Sequence, residues 1–190
     1  RLFYSNPSQL GGITWIAPKQ TVSTIYLKLA ARMAATGRLL LWSKSYIFNI
    51  HFWAGQLIKC NGPEKNHNGI ALVVESSNNS IKSILNPGDA AYTYIPNIAK
   101  LELDGLVATH HGANFPVFNA PIPITNAGYI VYSHGNKYGH PTPASIADHK
   151  SEGWINSLQT PNGHISFTTN PANNVHCNGI NCDLSIFQTF

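Results

Sequence analysis

Charged side chains are scarce in this chain of 190 residues, because Asp, Glu, Lys and Arg together make up only 11% of it. A typical soluble domain has about a quarter, so the surface must consist mostly of uncharged polar groups. The net charge of +4 reflects few acids, and the sequence contains no run of Lys or Arg. An electrostatic footprint for nucleic acid is therefore not evident, and anionic substrates are only weakly favoured.

Long apolar runs are missing, and cysteines are few. No apolar stretch approaches the roughly 20 residues that a membrane-spanning helix needs, so no membrane segment is predicted.

Cys60 ends an apolar run and is predicted to be a small buried hydrophobe. Cys177 and Cys182 lie close together, and their spacing leaves open a small disulfide loop, two free thiols or a metal knuckle with His176 and Asp183. The compartment stays open between the cytoplasm and a secreted or periplasmic location.

The chain does contain an alternation of strand-like and helical patterns, which predicts an α/β fold in a single domain. Apolar runs at 13–17 and 38–42 flank a helical pattern at about 22–36, with Thr21 or Ser23 as its N-cap. A strand–helix–strand unit of this kind normally makes a parallel, helix-covered sheet.

Further strand-like segments are predicted along the rest of the chain, at 46–52, 56–60, 69–75, 80–85, 103–108, 128–132 and 164–168. We expect the first two to form a hairpin that turns near Ala54 and Gly55, and the next two to form a second hairpin. A short helix interrupted by Pro96 is predicted over 90–100. The pattern over 143–151 predicts a second helix, with Thr142 as its N-cap.

Metal-capable side chains stand where the apolar strands end. Asp89 follows one strand in NPGDA, His110 and His111 follow the next in THHGA, and His134 and His140 follow a third. Rigid strands that deliver such side chains into loops are a common way to build a metal site. A carboxylate at Asp89 can bridge two cations, although a role in an Asx-turn is the alternative.

The adjacent histidines are not equivalent in this prediction. Neighbours on an extended segment project in opposite directions, so only one of them normally binds a given metal ion while the other contacts substrate or orients a ligand. The remaining histidines are predicted to have no special role: His51, His67, His149, His164 and His176.

The order of these motifs, NxxGIALVVE, PGDA, THHGA and YSHGNKYGHPTP, resembles the metallo-β-lactamase fold, an αββα sandwich. Within that fold it most resembles the soluble hydrolase domain related to ComEC-type competence proteins, and the resemblance covers about residues 66–150. It implies that this chain is the C-terminal part of such a sandwich. Residues 1–65 would be a mid-fold segment, 66–168 the half with the metal site, and 169–190 an irregular tail.

Residue roles follow from the resemblance position by position. Asp89 matches the bridging acid, and the histidine pair matches a metal-binding motif, with His111 as the preferred ligand and His110 as a second candidate. His140 matches the histidine that meets the leaving group or a phosphoryl oxygen, so His140 and His110 are the candidate catalytic residues. Asn68 matches the branch with Asn where other members carry a ligand histidine. The implied cofactor is a pair of zinc ions, with manganese as the alternative.

One element of the family is absent from this sequence, its main metal motif HxHxDH. The resemblance therefore implies that an upstream segment or a partner chain supplies those ligands. Strands within 69–108, 128–132 and 163–168 would then build mostly one sheet, and those within 13–60 would give part of the other. An incomplete sandwich exposes a strand edge and an apolar face, so the chain is expected to be stable only together with that segment.

The implied function is a metal-dependent hydrolase that cleaves a phosphodiester or phosphoester with a metal-activated hydroxide. The alternative is a non-catalytic binding or assembly module that keeps the fold without a complete metal site. A DNA-processing nuclease is a third reading, which the lack of basic clusters disfavours.

Overall fold

The structure, a computed structural model, describes residues 15–21, 23–42, 46–50, 53–76, 83–135, 137–162, 165–169 and 175–179. Over these ranges the chain is a mixed α/β protein, as the alternating patterns predict. Its strands form one seven-stranded sheet and two separate two-stranded sheets. The same ranges contain no helix with the length and apolar character needed to cross a membrane.

The first unit comprises β1 (Trp15–Pro18), α1 (Thr24–Ala35) and β2 (Leu39–Trp42). β1 and β2 pair in parallel, which confirms the predicted strand–helix–strand unit. Ser23 is the N-cap, since its hydroxyl oxygen accepts a hydrogen bond from the backbone N–H of Tyr26 at 3.3 Å. Gly37 follows the helix with a φ of +69°, which glycine adopts without strain.

The large sheet contains seven strands in the order of the chain. They are β3 (Tyr46–Ile50), β4 (Trp53–Lys59), β5 (Ile70–Ser76), β6 (Ser83–Asn86), β7 (Leu103–Val107), β8 (Tyr129–Tyr132) and β9 (Asn156–Gln159). From β3 to β6 each strand runs antiparallel to the next, whereas from β6 to β9 each is parallel to the next. Because parallel strands end at the same edge of a sheet, the loops after β6, β7 and β8 emerge together.

The crossover from β8 to β9 is made by α2 (Pro143–Ser151). The predicted N-cap is confirmed, because the Thr142 hydroxyl accepts a hydrogen bond from the backbone N–H of Ser145 at 3.2 Å. After β9, the strands β10 (Ile165–Thr169) and β11 (Val175–Gly179) pair as an antiparallel hairpin, and β11 contacts β7 and β8.

Buried side chains line the parallel half of the large sheet. β6, β7 and β8 are buried along nearly their whole length, which is typical of parallel strands that are covered on both faces. The largest fully buried side chains of this core include Trp154, Tyr92, Tyr132, Leu85, Leu106 and Ile130. Trp154 is also anchored by its indole N–H, which donates to the carbonyl oxygen of Pro121 at 2.7 Å. The predicted burial of Cys60 is confirmed, and its thiol is free.

Several predicted strand partners are wrong. Segments 46–52 and 56–60 are predicted to lie in a different sheet from 69–75, but β3, β4 and β5 are neighbours in one sheet. The segment 164–168 is predicted in the large sheet, whereas β10 pairs with β11. Alternation of apolar residues identifies a strand, but its partner depends on contacts far away in sequence, which alternation does not encode.

Local details also differ from the predictions. The expected turn at Ala54 and Gly55 is wrong, because both residues lie inside β4. The expected helix over 90–100 is replaced by two one-turn 3-10 helices, at Tyr92–Tyr94 and Asn97–Lys100, with Pro96 between them. Proline disfavours helical backbone in the residue before it, and Ile95 is accordingly extended.

Two strands are absent from the predictions. β9 has the sequence NSLQ, with a single apolar residue, so it shows no alternation that would mark it as a strand. It lies at an edge of the large sheet, where polar residues are tolerated. The tail after Thr169 is predicted to be irregular, but it contains β11. The side chain of Cys177 and all of Cys182 lie outside the described part, so their predicted states stay open.

Candidate metal centre

The predicted site residues lie in three loops at one edge of the large sheet. Asp89 follows β6, His110 and His111 follow β7, and His134 and His140 follow β8. In open α/β sheets this is where ligands bind, because loops that leave parallel strands converge there. The topology therefore explains why residues from three separate motifs meet.

Asp89 lies in a tight turn that another residue closes. The side-chain oxygen of Asn86 accepts a hydrogen bond from the backbone N–H of Gly88 at 3.2 Å. Gly88 has a φ of +59°, a conformation that favours glycine. The Asx-type bond, considered above as the alternative role for Asp89, is therefore made by Asn86. The carboxylate of Asp89 is partly exposed and faces His111, with 3.7 Å between Oδ1 of Asp89 and Nε2 of His111.

The histidine pair lies in a left-handed turn, not on an extended segment. His110 has φ +46° and ψ +42°, His111 has φ +61° and ψ +16°, and Gly112 continues with φ +86°. The premise that the two side chains project in opposite directions is therefore wrong, and their ring centroids are 6.2 Å apart. Non-glycine residues in this conformation are uncommon, and they tend to cluster at functional sites, although Glu102 and Asn119 also have a positive φ in this chain.

Close packing holds this turn in place. A Cβ atom on Gly112 would lie 2.6 Å from the Cβ of Pro141 and 2.7 Å from the ring of Tyr132. The carbonyl oxygen of Gly112 also accepts a hydrogen bond from the backbone N–H of Thr142 at 3.0 Å. Only glycine fits at this position, so the loop after β8 is fixed against the turn that carries the two histidines.

His111 is oriented through its second ring nitrogen. Nδ1 lies within hydrogen-bond distance of the carbonyl oxygen of Ser133. A carbonyl oxygen can only accept, so Nδ1 carries a hydrogen and Nε2 is the nitrogen that faces Asp89. A hydrogen bond from one ring nitrogen to a backbone carbonyl is the usual way in which proteins orient a metal-binding histidine. The same arrangement of Asp89 and His111 also suits an ion pair between the two side chains, without a metal ion.

His110 and His140 lie beside this pair. The ring centroid of His110 is 6.0 Å from those of His140 and Phe115. Nδ1 of His140 is buried and has no hydrogen-bond partner within the part of the chain that the structure describes. Burial lowers the pKa of His140, and the imidazoles of His110, His111 and His134 lower it further.

An open pocket of about 340 Å³ adjoins the pair, and it is lined largely by basic and aromatic residues. These are His111, His134, His140, Lys137 and Tyr138; Ser133 and Gly135 complete the described lining, which contains no acidic residue. His134 is held at 3.0 Å by the side-chain oxygen of Gln159. The ammonium of Lys137 lies 5.0 Å from the ring centroid of Tyr138, which is exposed. Such a pocket is electrostatically suited to an anion.

Asn68 and His67 lie outside the lining of this pocket. The side-chain and backbone oxygens of Asn68 both accept hydrogen bonds from the ammonium of Lys59, which is buried. His67 stacks on Tyr94, with 4.8 Å between ring centroids. The structure therefore gives both residues contacts of their own away from this pocket.

The ligand set is incomplete in the described part of the chain. Its His, Cys, Asp and Glu residues form no group of three or more that could hold a metal ion. Asp89 and His111 supply one carboxylate and one imidazole, whereas a catalytic zinc ion normally has three protein ligands. Oxygen and nitrogen donors of these types suit zinc or manganese. The pair therefore fits part of a metal site.

His149 is a functional candidate that the sequence did not indicate. It is fully buried in α2, and its ring nitrogens bond to Tyr92 at 2.8 Å and to the carbonyl oxygen of Ser145 at 2.8 Å. Its spacing of four residues from Ser145 gives no signal of this role, because the connection to Tyr92 is long-range. His51, His164 and the side chain of His176 lie outside the described residues.

Comparison with protein-family models, with curated proteins and with solved structures finds no match for this chain. The resemblance of its motifs to the metallo-β-lactamase fold therefore stays a prediction from the sequence.

Proposed function

We propose that this chain is part of a metal-dependent hydrolase related to the metallo-β-lactamase fold and that it acts on a phosphodiester or phosphoester. The observation that carries the proposal is the pair formed by Asp89 and His111. A ring nitrogen that faces a carboxylate oxygen at 3.7 Å is suited to share a cation. The other nitrogen is already committed to a carbonyl oxygen, as in known metal sites.

The order of the strands supports the relation to that fold. β6, β7 and β8 are adjacent and parallel, and the loops after them carry PGDA, THHGA and the YGHP segment in turn. A family resemblance predicts that these three motifs meet, although they are far apart in the sequence. The chain would form the C-terminal part of the αββα sandwich, with β3 to β9 as one of its sheets.

The pocket supports an anionic substrate. Lys137 contributes a positive charge to its lining, His134 and His140 line it as well, and Asp89 lies beside the lining residue His111. A phosphoester would place its charged oxygens against this wall, and the reacting phosphorus would lie toward Asp89 and His111. His140 and His110 would then contact the substrate, which is the role that the resemblance implies for them.

Bound metal ions would supply a strong nucleophile at neutral pH and neutralise charge that develops on the phosphoryl group. Asp89 and His111 would hold them, and His110 is the further candidate ligand. The other ligands would come from outside the described residues, either from an upstream segment with HxHxDH or from a partner chain. Two zinc ions are the proposed cofactor, and manganese is the alternative.

A non-catalytic binding or assembly module is the second candidate. The specific observation in its favour is that the described residues supply fewer than three clustered metal ligands. In that case Asp89 and His111 would form an ion pair, and the pocket would bind an anion without cleaving it.

Hydrolysis of a chromogenic phosphodiester distinguishes the two candidates. We expect cleavage by the purified protein in the presence of zinc or manganese, loss of cleavage with a chelator, and recovery when metal is restored. Asp89→Asn should abolish the activity, while Asp148→Asn, a matched change on α2 outside the pocket lining, should leave it intact. Binding of the phosphodiester without cleavage under all metal conditions would support the binding module instead.

A further inference from the structure

A histidine in the middle of an aromatic core requires an explanation. The ring of His149 has 0% exposure and is surrounded by Phe118, Tyr92 and Tyr132, whose ring centroids lie 4.5, 5.7 and 5.6 Å away. Apolar side chains could fill the same space without burying polar atoms, and such replacements are often neutral or stabilising. The polar groups must therefore contribute something other than volume, and a fixed direction of hydrogen bonding is what they can contribute.

The hydrogen bonds determine which nitrogen of His149 carries a proton. Nδ1 lies 2.8 Å from the carbonyl oxygen of Ser145, which can only accept, so Nδ1 is the donor. The hydroxyl oxygen of Tyr132, 3.1 Å from the same nitrogen, is then a second acceptor. Nε2 is then the acceptor in the neutral ring, and the hydroxyl of Tyr92 donates to it at 2.8 Å. The orientation of the Tyr92 hydroxyl is fixed by this bond, and its oxygen is left to accept from another group.

That other group is the backbone N–H of Thr109, which lies 3.3 Å from the Tyr92 oxygen. Thr109 is buried and begins the left-handed turn that carries His110 and His111. Without Tyr92, this N–H would be a buried donor without a partner. We refer to Thr109, Tyr92 and His149 together as the buried network.

Thr109 connects the network to both halves of the candidate metal centre. Its hydroxyl donates to the carbonyl oxygen of Ala90 at 2.5 Å, on the C-terminal side of Asp89. On the other side of Asp89, the carbonyl oxygen of Gly88 accepts a hydrogen bond from the backbone N–H of His110 at 3.0 Å. The turn that carries Asp89 and the turn that carries His111 are therefore tied to each other on both sides, through Thr109 and its neighbour.

We propose that Thr109, Tyr92 and His149 are positioning residues, and that this buried network sets the placement of His111 relative to Asp89. The consequence for metal binding rests on the proposed function. None of the three residues contacts the metal, so each acts through the two turns. Residues that orient metal ligands in this indirect way typically change metal affinity about 10- to 100-fold when they are replaced.

The test compares variants of the whole protein by zinc affinity, by the NMR signals of the His111 imidazole in the metal-free protein at one fixed pH, and by urea unfolding. Thr109→Val removes the hydroxyl at nearly constant shape, and Thr109→Ser restores it. Tyr92→Phe removes the acceptor for the Thr109 N–H. Ile58→Val, a change in buried β4 away from the network, is the control for a general loss of stability.

We expect Thr109→Val and Tyr92→Phe to shift the His111 signals and to weaken zinc binding by about 10-fold or more. Thr109→Ser should remain near the wild type in both. Ile58→Val should lower stability without moving either readout. If Thr109→Val does not fold, Tyr92→Phe and Thr109→Ser carry the comparison.

The outcomes separate this inference from the proposed function. Shifted His111 signals in Thr109→Val and Tyr92→Phe, together with a wild-type protein that binds no zinc, would uphold the positioning role and reject the metal site. Unchanged His111 signals and unchanged zinc affinity in Thr109→Val and Tyr92→Phe would overturn the inference, while leaving the metal site in place. Equal effects from Ile58→Val would also overturn it, because the readouts would then follow stability alone.

Discussion

Nε2 of His111 lies 3.7 Å from Oδ1 of Asp89, and the two residues come from loops that follow adjacent parallel strands, β6 and β7. The contact is not made by extended backbone, because His110 and His111 both adopt left-handed conformations. The orientation of His111 depends on a third loop, since Ser133 follows β8 and accepts the hydrogen bond from Nδ1. Three strand ends thus define one imidazole–carboxylate pair.

The two adjacent histidines should differ in their effect on zinc. His111→Ala removes the imidazole that faces Asp89 and should abolish most zinc binding. His110→Ala removes a ring that packs on His140 and Phe115, so it should retain more zinc and should mainly reduce turnover. Zinc per protein particle and phosphodiester cleavage, measured on both variants, check this order. Equal zinc loss from both, or loss only from His110→Ala, would reverse the assignment.

Replacement of Gly112 should strongly destabilise the fold. Gly112→Ala adds a Cβ that meets Pro141 at 2.6 Å in a backbone conformation with φ +86°, so we expect a loss of about 2–4 kcal/mol of unfolding free energy. Gly37→Ala is the matched control, because its φ of +69° carries the same conformational penalty but no atom lies within 4 Å. It should cost only about 1–2 kcal/mol. Similar losses in urea denaturation would contradict the packing role of Gly112.

His149 should make stability depend on pH in a defined window. Burial lowers its pKa to about 4, below the ordinary value of about 6.5 for an unfolded chain. The unfolded state therefore binds more protons between these values, so stability is fully present above about pH 6.5 and falls as the pH decreases toward 4. The difference corresponds to about 3 kcal/mol. Below pH 4 this contribution should level off.

The measurement is urea unfolding of the wild type and His149→Gln at a series of pH values. The difference between the two proteins isolates His149 from the other groups that titrate in this range. It should shrink by about 3 kcal/mol from pH 7 to pH 4. A difference that stays constant with pH would show that His149 is not held neutral in the fold.

Lys137 should contribute to the binding of anions in the pocket. Lys137→Gln removes an exposed positive charge from the lining, so the affinity for inorganic phosphate should fall about two- to five-fold, and less at high salt. Lys28→Gln, at an exposed position on α1, should have no effect. Phosphate titrations at two salt concentrations check both variants. Equal affinity for phosphate in Lys137→Gln and the wild type would show that Lys137 does not contribute to anion binding.

The sequence predicted where the site residues lie, but not how the backbone presents them. The loops that carry Asp89, His111 and His140 could be recognised, because an apolar run followed by a polar loop is a local pattern. Their meeting could be predicted only through the family resemblance, since it depends on the order of β6, β7 and β8 in the sheet. The left-handed conformation of His110 and His111 has no signature in their residue types.

The buried network around His149 could not be predicted from the sequence either. A single histidine in α2 looks ordinary in the sequence, because its partners Tyr92 and Thr109 are brought to it by tertiary packing. β9 was missed for a related reason. Its four residues become a strand by pairing with β8, and their own pattern of apolar and polar residues does not predict that pairing.

The proposed function depends above all on whether Asp89 and His111 hold a metal ion together. The most direct test is the zinc content of the complete protein, together with any upstream segment or partner chain that supplies the other ligands, as the wild type, Asp89→Asn and Asp148→Asn. It is measured after dialysis against a small excess of zinc and removal of the free ion. We expect bound zinc in the wild type and in Asp148→Asn, and its loss in Asp89→Asn. Wild-type protein that retains no zinc, or Asp89→Asn protein that retains as much as the wild type, would contradict it.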